Sequence, residues 1–303
     1  MQKMEKVLIP SVSLDEGTFD NLIEQIAEGL SDEVNRFIID LKDVNFIDPY
    51  GMVGLLKIGD YLNDLNKKPH LSLPQLEDVY RYLERMNFFQ YAQRSYSFDN
   101  LSYIYEKKYS RIEDSDVLLE ITRIERTEDI HSIVTKVKSR AFSILSTHLS
   151  YDSSTINEFI VSLSELCQNI LEHSENTGYV GIQKYFYLKR LGKNIVKIAI
   201  MDLGIGIKKS LEERFFPLYR DKWDDTFAIE KALLHGASRY KDLGRGQGLN
   251  NVRRFVIKWK GKISIRSGTG KLAIIPPWDR GKTRNYGLSY FPGTQVGIVL
   301  PQA

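Results

Sequence analysis

The chain has 303 residues, of which 42% are hydrophobic and 27% charged, and its net charge is +3. This length predicts two domains, and the mild charge argues against a nucleic-acid-binding protein. No apolar run reaches the length of a membrane span, the first residues lack a signal-peptide core, and Cys167 is the only cysteine. We therefore expect a cytoplasmic protein with neither a nucleic-acid nor a membrane partner.

The first hundred residues alternate between strand and helix patterns. Short apolar runs predict strands at residues 6–12, 36–44 and 70–73. Apolar residues at helical spacing predict helices at 19–30, 52–65 and 76–92. This alternation is typical of an α/β layer fold.

A turn, Asp48-Pro49-Tyr50-Gly51, separates the second strand from its helix. Asp48 can cap that helix, and Pro49 suits its first turn. Residues 37–56 resemble the STAS domain of anti-sigma-factor antagonists, in which an IDSSG-like turn carries a phosphorylatable serine. Pro49 and Tyr50 stand at the two serine positions. The resemblance therefore implies a STAS-like interaction domain at residues 1–107 that lacks the usual phosphoacceptor.

A linker at residues 108–116 is followed by a second predicted domain at 117–303. Its strands are predicted at 117–124, 179–188, 194–201, 261–267, 271–276 and 293–301. Its helices are predicted at 128–149, 154–173 and 226–235, with a further helix after Gly248.

Three polar residues lie along one edge of the helix predicted at 154–173. Glu165, Asn169 and His173 are four residues apart, so they line up beside the apolar stripe of that helix. A carboxylate, an amide and an imidazole in a row can serve a metal ion and a phosphate chain. Taken alone, the pattern also fits a solvated helix face.

Two glycine-rich segments follow. Asp202 ends a predicted strand, and Gly204 and Gly206 come directly after it, where the lack of a Cβ lets the backbone approach a flat ligand. A plain turn is the alternative for this segment. Gly244-Arg-Gly-Gln-Gly248 opens into a helix, and such a loop can hold phosphate with its backbone N–H groups. Gly293-Thr294 then leads into the last strand.

These four segments, in this order, resemble the GHKL or Bergerat-fold ATP-binding domain shared by gyrase, heat-shock chaperones, mismatch-repair ATPases, histidine kinases and anti-sigma-factor kinases. The resemblance covers residues 117–303. It implies an α/β two-layer sandwich with a mixed sheet covered by helices, and an ATP lid at about 208–243. It also implies ATP and Mg²⁺ as ligands.

The resemblance assigns a role to each matching residue. Glu165 would be the general base, Asn169 would bind Mg²⁺, and His173 would lie near the phosphates. Asp202 would accept a hydrogen bond from the adenine amino group. The other nucleotide contacts would come from Gly204, Gly206, Ile207, Gly244, Arg245, Gly246, Gly248, Leu249 and Thr294.

A histidine kinase needs a phosphoacceptor histidine on a preceding helix, and neither His131 nor His148 has the sequence context of that motif. The favoured hypothesis is an ATP-binding signalling protein that resembles anti-sigma-factor serine/threonine kinases and contacts a protein partner through its STAS-like module. Two alternatives stay open: a nucleotide-gated interaction module without turnover, and an ATPase switch that drives dimerisation. A homodimer is compatible with each of them.

Overall fold

A computed structural model describes residues 4–99, 118–125, 130–173, 177–187, 191–238 and 248–303. The chain divides into two compact units, Met1–Ser115 and Asp116–Ala303. In the described ranges, no helix is both long and apolar enough to cross a membrane.

Unit 1 is a small α/β layer. In chain order its elements are β1 (Met4–Leu8), β2 (Ser13–Leu14), α1 (Phe19–Gly29), β3 (Val34–Asp40), β4 (Phe46–Ile47), α2 (Pro49–Asp64), β5 (Lys68–Ser72), α3 (Glu77–Arg85) and α4 (Phe88–Ala92). Strands β1, β3 and β5 form a parallel sheet in the order β1-β3-β5, and β2 pairs with β4 in parallel. Parallel neighbours require crossover connections, which α1 and α2 provide. The predicted α/β class is confirmed.

The helix predicted at 76–92 is wrong in one respect, because the chain forms two helices there. Asn87 lies between α3 and α4 with a φ of +60°, in the left-handed region. Asparagine tolerates that conformation better than most residues, so it can end one helix and turn the chain into the next.

Unit 2 contains one seven-stranded sheet with helices on one face. In chain order its elements are β6 (Leu118–Ile124), α5 (Ile130–Leu149), α6 (Ser153–His173), β7 (Gly178–Tyr187), β8 (Lys193–Met201), α7 (Gly206–Tyr219), a 3₁₀ turn (Arg220–Lys222), α8 (Asp225–His235), α9 (Gly248–Lys258), β9 (Lys262–Gly268), β10 (Gly270–Ile274), β11 (Arg284–Asn285) and β12 (Phe291–Pro301). The strand order is β11-β10-β9-β12-β8-β7-β6.

The expectation of a mixed sheet is wrong for the described strands, because every pairing among them is antiparallel. Short connections join β7 to β8 and β9 to β10, and a short connection allows only an antiparallel pair. The last strand, β12, then inserts between β8 and β9. This insertion brings the Gly293-Thr294 segment beside the end of β8.

The core of unit 2 lies between the sheet and the helices. Alternate residues of the four central strands point into it, as the period of two requires. The buried strand residues are Val180, Ile182, Val196, Ile198, Ile200, Ile263, Ile265, Val296, Ile298 and Leu300. Helix α6 supplies Ile156, Phe159, Ile160, Leu163, Leu166 and Cys167 to the same core.

Most of the segment predicted to be the ATP lid is helical and packed. Helices α7 and α8, with the 3₁₀ turn between them, account for most of residues 206–235. Ile207 and Leu211 of α7, and Ile229 and Leu233 of α8, are buried in the core. A segment with this much buried apolar surface is part of the domain body. Of the predicted lid, residues 239–243 lie outside the described residues.

Candidate functional site

Helix α6 is fixed in orientation by its cap and by its apolar face. The carboxylate of Asp152 accepts hydrogen bonds from the hydroxyl of Ser154 at 2.6 Å and from the backbone N–H of Thr155 at 2.8 Å. These donors hold the pKa of Asp152 well below its usual range. With its apolar face buried, the helix leaves Glu165 and Asn169 half-buried beside the core.

Glu165 lies against the N-terminus of α9. A Cβ added to Gly248, the first residue of α9, would lie 3.1 Å from both Cβ and Oε2 of Glu165. The Oε2 atom is buried and has no hydrogen-bond partner among the described residues. Burial raises the pKa of Glu165. A carboxylate with an available oxygen and a raised pKa can take a proton from a hydroxyl group or a water molecule.

Asn169 and His173 follow Glu165 at intervals of one helical turn. Asn169 is half-buried, and His173 is the last residue of α6. The side chain of His173 lies outside the described part of the structure. The helix therefore places all three residues on one edge, as the spacing predicts.

Mg²⁺ is compatible with this edge if phosphate oxygens complete its coordination. Within the described ranges, no group of three or more His, Cys, Asp or Glu side chains could hold a metal ion. Mg²⁺ commonly takes only one or two protein ligands and fills its other positions with water and substrate phosphates. The amide oxygen of Asn169 would be such a ligand, and the unpartnered Oε2 of Glu165 lies one turn away.

A second group of predicted residues meets where β8 and β12 lie side by side. The backbone N–H of Asp202 donates to the carbonyl of Thr294 at 3.0 Å, and the Asp202 carboxylate accepts from the N–H of Gly204 at 2.7 Å. Gly293 must be glycine, because its φ is +76° and a Cβ would lie 2.1 Å from the carbonyl oxygen of Asp202. Asp202 is thereby held at the sheet edge with its carboxylate half-buried.

Ser267 joins these segments, and the sequence did not indicate it. Its buried hydroxyl donates to the carbonyl of Gly293 at 2.8 Å and accepts from the N–H of Ile207 at 3.0 Å. Gly206, with a φ of +74°, passes so close that an added Cβ would lie 2.9 Å from the same hydroxyl oxygen. Ser267 thus fixes the start of α7 to the last strand. Ser267 pairs with Thr294 across the sheet. Ser267 could therefore have been recognised as a site residue only if the strand order had been known.

The second glycine segment is described in part. Gly248 and Leu249 are the first residues of α9, and Leu249 packs against the core. Gly244, Arg245 and Gly246 lie outside the described residues. The N-terminus of α9 lies beside Glu165, so the candidate base and a helix end of the kind that can hold an anion are neighbours.

The turn at Asp48 in unit 1 is closed to solvent. The Asp48 side chain is buried and accepts from the N–H of Gly51 at 3.0 Å, which caps α2. Tyr50 is only 3% exposed, and its ring packs edge-on against Phe19 with centroids 5.5 Å apart. A Cβ on Gly51 would lie 2.3 Å from the carbonyl oxygen of Leu14. The folded turn therefore offers no accessible hydroxyl at the position of Tyr50.

Comparison with known families identifies the second unit. Residues 157–302 match the family described as histidine kinase-, DNA gyrase B-, and HSP90-like ATPase. These residues form a GHKL-type ATPase domain. The match begins within α6 and ends at the last strand, so it contains every predicted site residue. A search among curated proteins found no match. An ATP-binding domain of this type is confirmed at residues 157–302, whereas its predicted start at residue 117, the STAS-like domain and the anti-sigma-kinase type stay predictions.

Proposed function

We propose that this chain is an ATP-dependent serine/threonine protein kinase of the anti-sigma-factor-kinase type, with a STAS-like module in the same chain. The observation that carries this proposal is the position of Glu165. Its buried Oε2 has no described partner and lies at the helix N-terminus that would face the phosphates. Nucleotide binding alone requires no base there, whereas phosphoryl transfer to a hydroxyl does.

The nucleotide would lie between the two groups of site residues. Asp202 would accept from the adenine amino group, with Gly204, Gly206 and Ile207 forming the wall of that pocket and Thr294 its far side. The phosphates would meet the N-terminus of α9 together with Gly244, Arg245 and Gly246. His173 would lie beside the phosphates.

The proposed step is a transfer of the γ-phosphoryl group. The oxygen of a serine or threonine hydroxyl attacks the γ-phosphorus as the bond between that phosphorus and the β,γ-bridging oxygen breaks. ADP leaves with that electron pair, and the hydroxyl proton passes to the Glu165 carboxylate. Mg²⁺, held by Asn169 and the phosphates, would offset their negative charge when bound.

Unit 1 supports a regulatory role for the chain. Its closed turn and buried Tyr50 fit a STAS-like module that binds a protein partner and receives no phosphate itself. Cys167 is the only cysteine, so the chain can form no internal disulfide, which fits a reducing compartment. We therefore retain a cytoplasmic location as part of the proposal.

The test follows the label from γ-labelled ATP. The full chain is incubated with Mg²⁺, labelled ATP and an extract of the source organism, and protein-bound label is separated from free phosphate. A labelled protein that is absent with Glu165→Gln and Asn169→Ala would support a kinase. Label found only as free phosphate would favour the ATPase switch. If ATP binds and no label moves, the nucleotide-gated module replaces the kinase.

A further inference from the structure

A groove of about 490 Å³ runs between α6 and α9, and Glu165 is one of the residues that line it. Its lining residues are Glu158, Val161, Ser162, Glu165, Asn251, Arg254, Phe255 and Lys258. Two of the lining residues, Phe255 and Val161, are apolar and accessible: Phe255 is half-buried and Val161 is 53% exposed. The groove therefore has a partly apolar floor. Such a floor can take an apolar side chain of a bound segment.

The groove and the nucleotide site share Glu165. Gly248 lies beside Glu165, and Phe255 packs edge-on against Phe159 with centroids 6.0 Å apart, so α6 and α9 run in opposite directions. The α6 side of the groove therefore runs from Glu165 to Glu158 along α9, whereas Asn169 lies one turn further on, beyond the N-terminus of α9. A group bound in the groove reaches Glu165 from the side opposite to Asn169.

The α9 wall of the groove is basic. Arg254 and Lys258 lie one turn apart on it, both are exposed, and α9 contains no acidic residue. The α6 wall contributes Glu158 in addition to Glu165. A segment that places acidic side chains along α9 would complement this wall.

Helix geometry sets the spacing of such a segment. Arg254 and Lys258 follow Gly248 by about 9 and 15 Å along the helix at the usual rise of about 1.5 Å per residue. An extended chain advances about 3.3 Å per residue. In a bound extended segment, acidic residues about three and five positions from the residue that lies beside Glu165 would therefore meet Arg254 and Lys258.

We propose that this groove binds the acceptor segment of the protein substrate, an extended stretch with a serine or threonine at Glu165 and acidic residues about three and five positions away. This inference rests on the proposed function and adds to it the class of substrate. The transferred phosphoryl group joins the hydroxyl that the groove delivers to Glu165.

The test measures the binding of defined peptides, so it does not depend on turnover. Each fluorescein-labelled peptide has a central serine. In one pair of peptides, glutamates stand three and five positions before the serine or three and five positions after it. In the matching pair, lysines replace those glutamates. Their affinity for the full chain is measured by anisotropy in the presence of Mg²⁺ and a non-hydrolysable ATP analogue. The variant is Arg254→Glu/Lys258→Glu. The matched control is Arg280→Glu/Lys282→Glu, another exposed arginine–lysine pair in unit 2.

We expect a glutamate peptide to bind at least about tenfold more tightly than its lysine counterpart, and the groove variant to reverse that preference. The control variant should leave it unchanged. Equal loss in both variants, an unchanged preference in the groove variant, or no peptide binding by a chain that binds the ATP analogue would each overturn the proposal. Failure to bind the ATP analogue at all would instead refute the proposed function. The two failures are distinguished by measuring analogue binding without any peptide.

Discussion

Gly293 is the position at which one added methyl group should damage the nucleotide pocket most. Its φ of +76° lies in a region that other residues adopt at a cost of about 1–2 kcal/mol. An added Cβ would also lie 2.1 Å from the carbonyl oxygen of Asp202, so the backbone must move by about 1 Å to restore ordinary contact. We expect Gly293→Ala to lower the free energy of unfolding by about 4 kcal/mol and to weaken ATP binding at least about tenfold.

Gly287→Ala separates the two causes. Gly287 has a φ of +63°, and an added Cβ there would have no heavy atom within 4 Å. This variant should lose only the conformational part, about 1–2 kcal/mol, and should bind ATP normally. All three tryptophans, Trp223, Trp259 and Trp278, lie in unit 2, so tryptophan fluorescence in urea reports the unfolding of that unit. A close contact at Gly293 is excluded if the unfolding free energies of the two variants agree within about 1 kcal/mol and Gly293→Ala binds ATP as tightly as the wild type.

Three further predictions concern single side chains. Glu165→Gln should keep ATP affinity and lower turnover about a hundredfold or more, as single-turnover kinetics would show. Because the pKa of Glu165 is raised in the folded state, its stabilising contribution is present at acid pH and is lost as pH rises through that pKa. The Gln variant should therefore be more stable than the wild type at about pH 7 and equal to it at about pH 4; a difference that does not depend on pH would contradict the assignment. Ser267→Ala leaves the N–H of Ile207 and the carbonyl of Gly293 without their partner, so the free energy of unfolding measured in urea should fall by about 1–3 kcal/mol. An unchanged midpoint of the urea transition would show that the contact is dispensable. Tyr50 should carry no phosphate when the chain is labelled with ATP and mapped by mass spectrometry, because its side chain is buried; phosphotyrosine at that position in the folded protein would contradict the closed turn.

The helical part of the site could be predicted from the sequence. The apolar period of α6 gave the orientation of that helix, and the four-residue spacing then put Glu165, Asn169 and His173 on one edge. Such contacts are local, so periodicity is sufficient to predict them. Gly206 was expected to permit a close backbone approach, because it follows a strand end in a glycine-rich segment. No local pattern indicated the same for Gly293, whose tight contact with Asp202 depends on the position of the last strand.

Contacts between distant segments could not be predicted in this way. The hydroxyl of Ser267 bonds Ile207 and Gly293, which are 60 residues before it and 26 residues after it. That link depends on β12 inserting between β8 and β9, and no local pattern encodes a strand order. The α6–α9 groove has the same origin, since α6 ends at His173 and α9 begins only at Gly248.

The segment predicted to be the lid shows what a local pattern leaves open. The range 208–243 was bounded only by the two glycine segments on either side of it. In the structure Phe215, Tyr219, Trp223 and Phe227 pack on one another, with the rings of Phe215 and Trp223 stacked at 5.9 Å. Aromatic residues at helical spacing fill a core as readily as they cover a lid, and only their neighbours decide between the two.

The most direct test of the central claim is the binding of ATP to the full chain. Isothermal titration with Mg²⁺ and a non-hydrolysable ATP analogue should show saturable binding of one nucleotide per chain. Asp202→Asn, which replaces the acceptor for the adenine amino group, should weaken it at least about tenfold. The absence of saturable binding by the wild-type chain would contradict the assignment of an ATP site, and so would an Asp202→Asn variant that binds the nucleotide as tightly as the wild type.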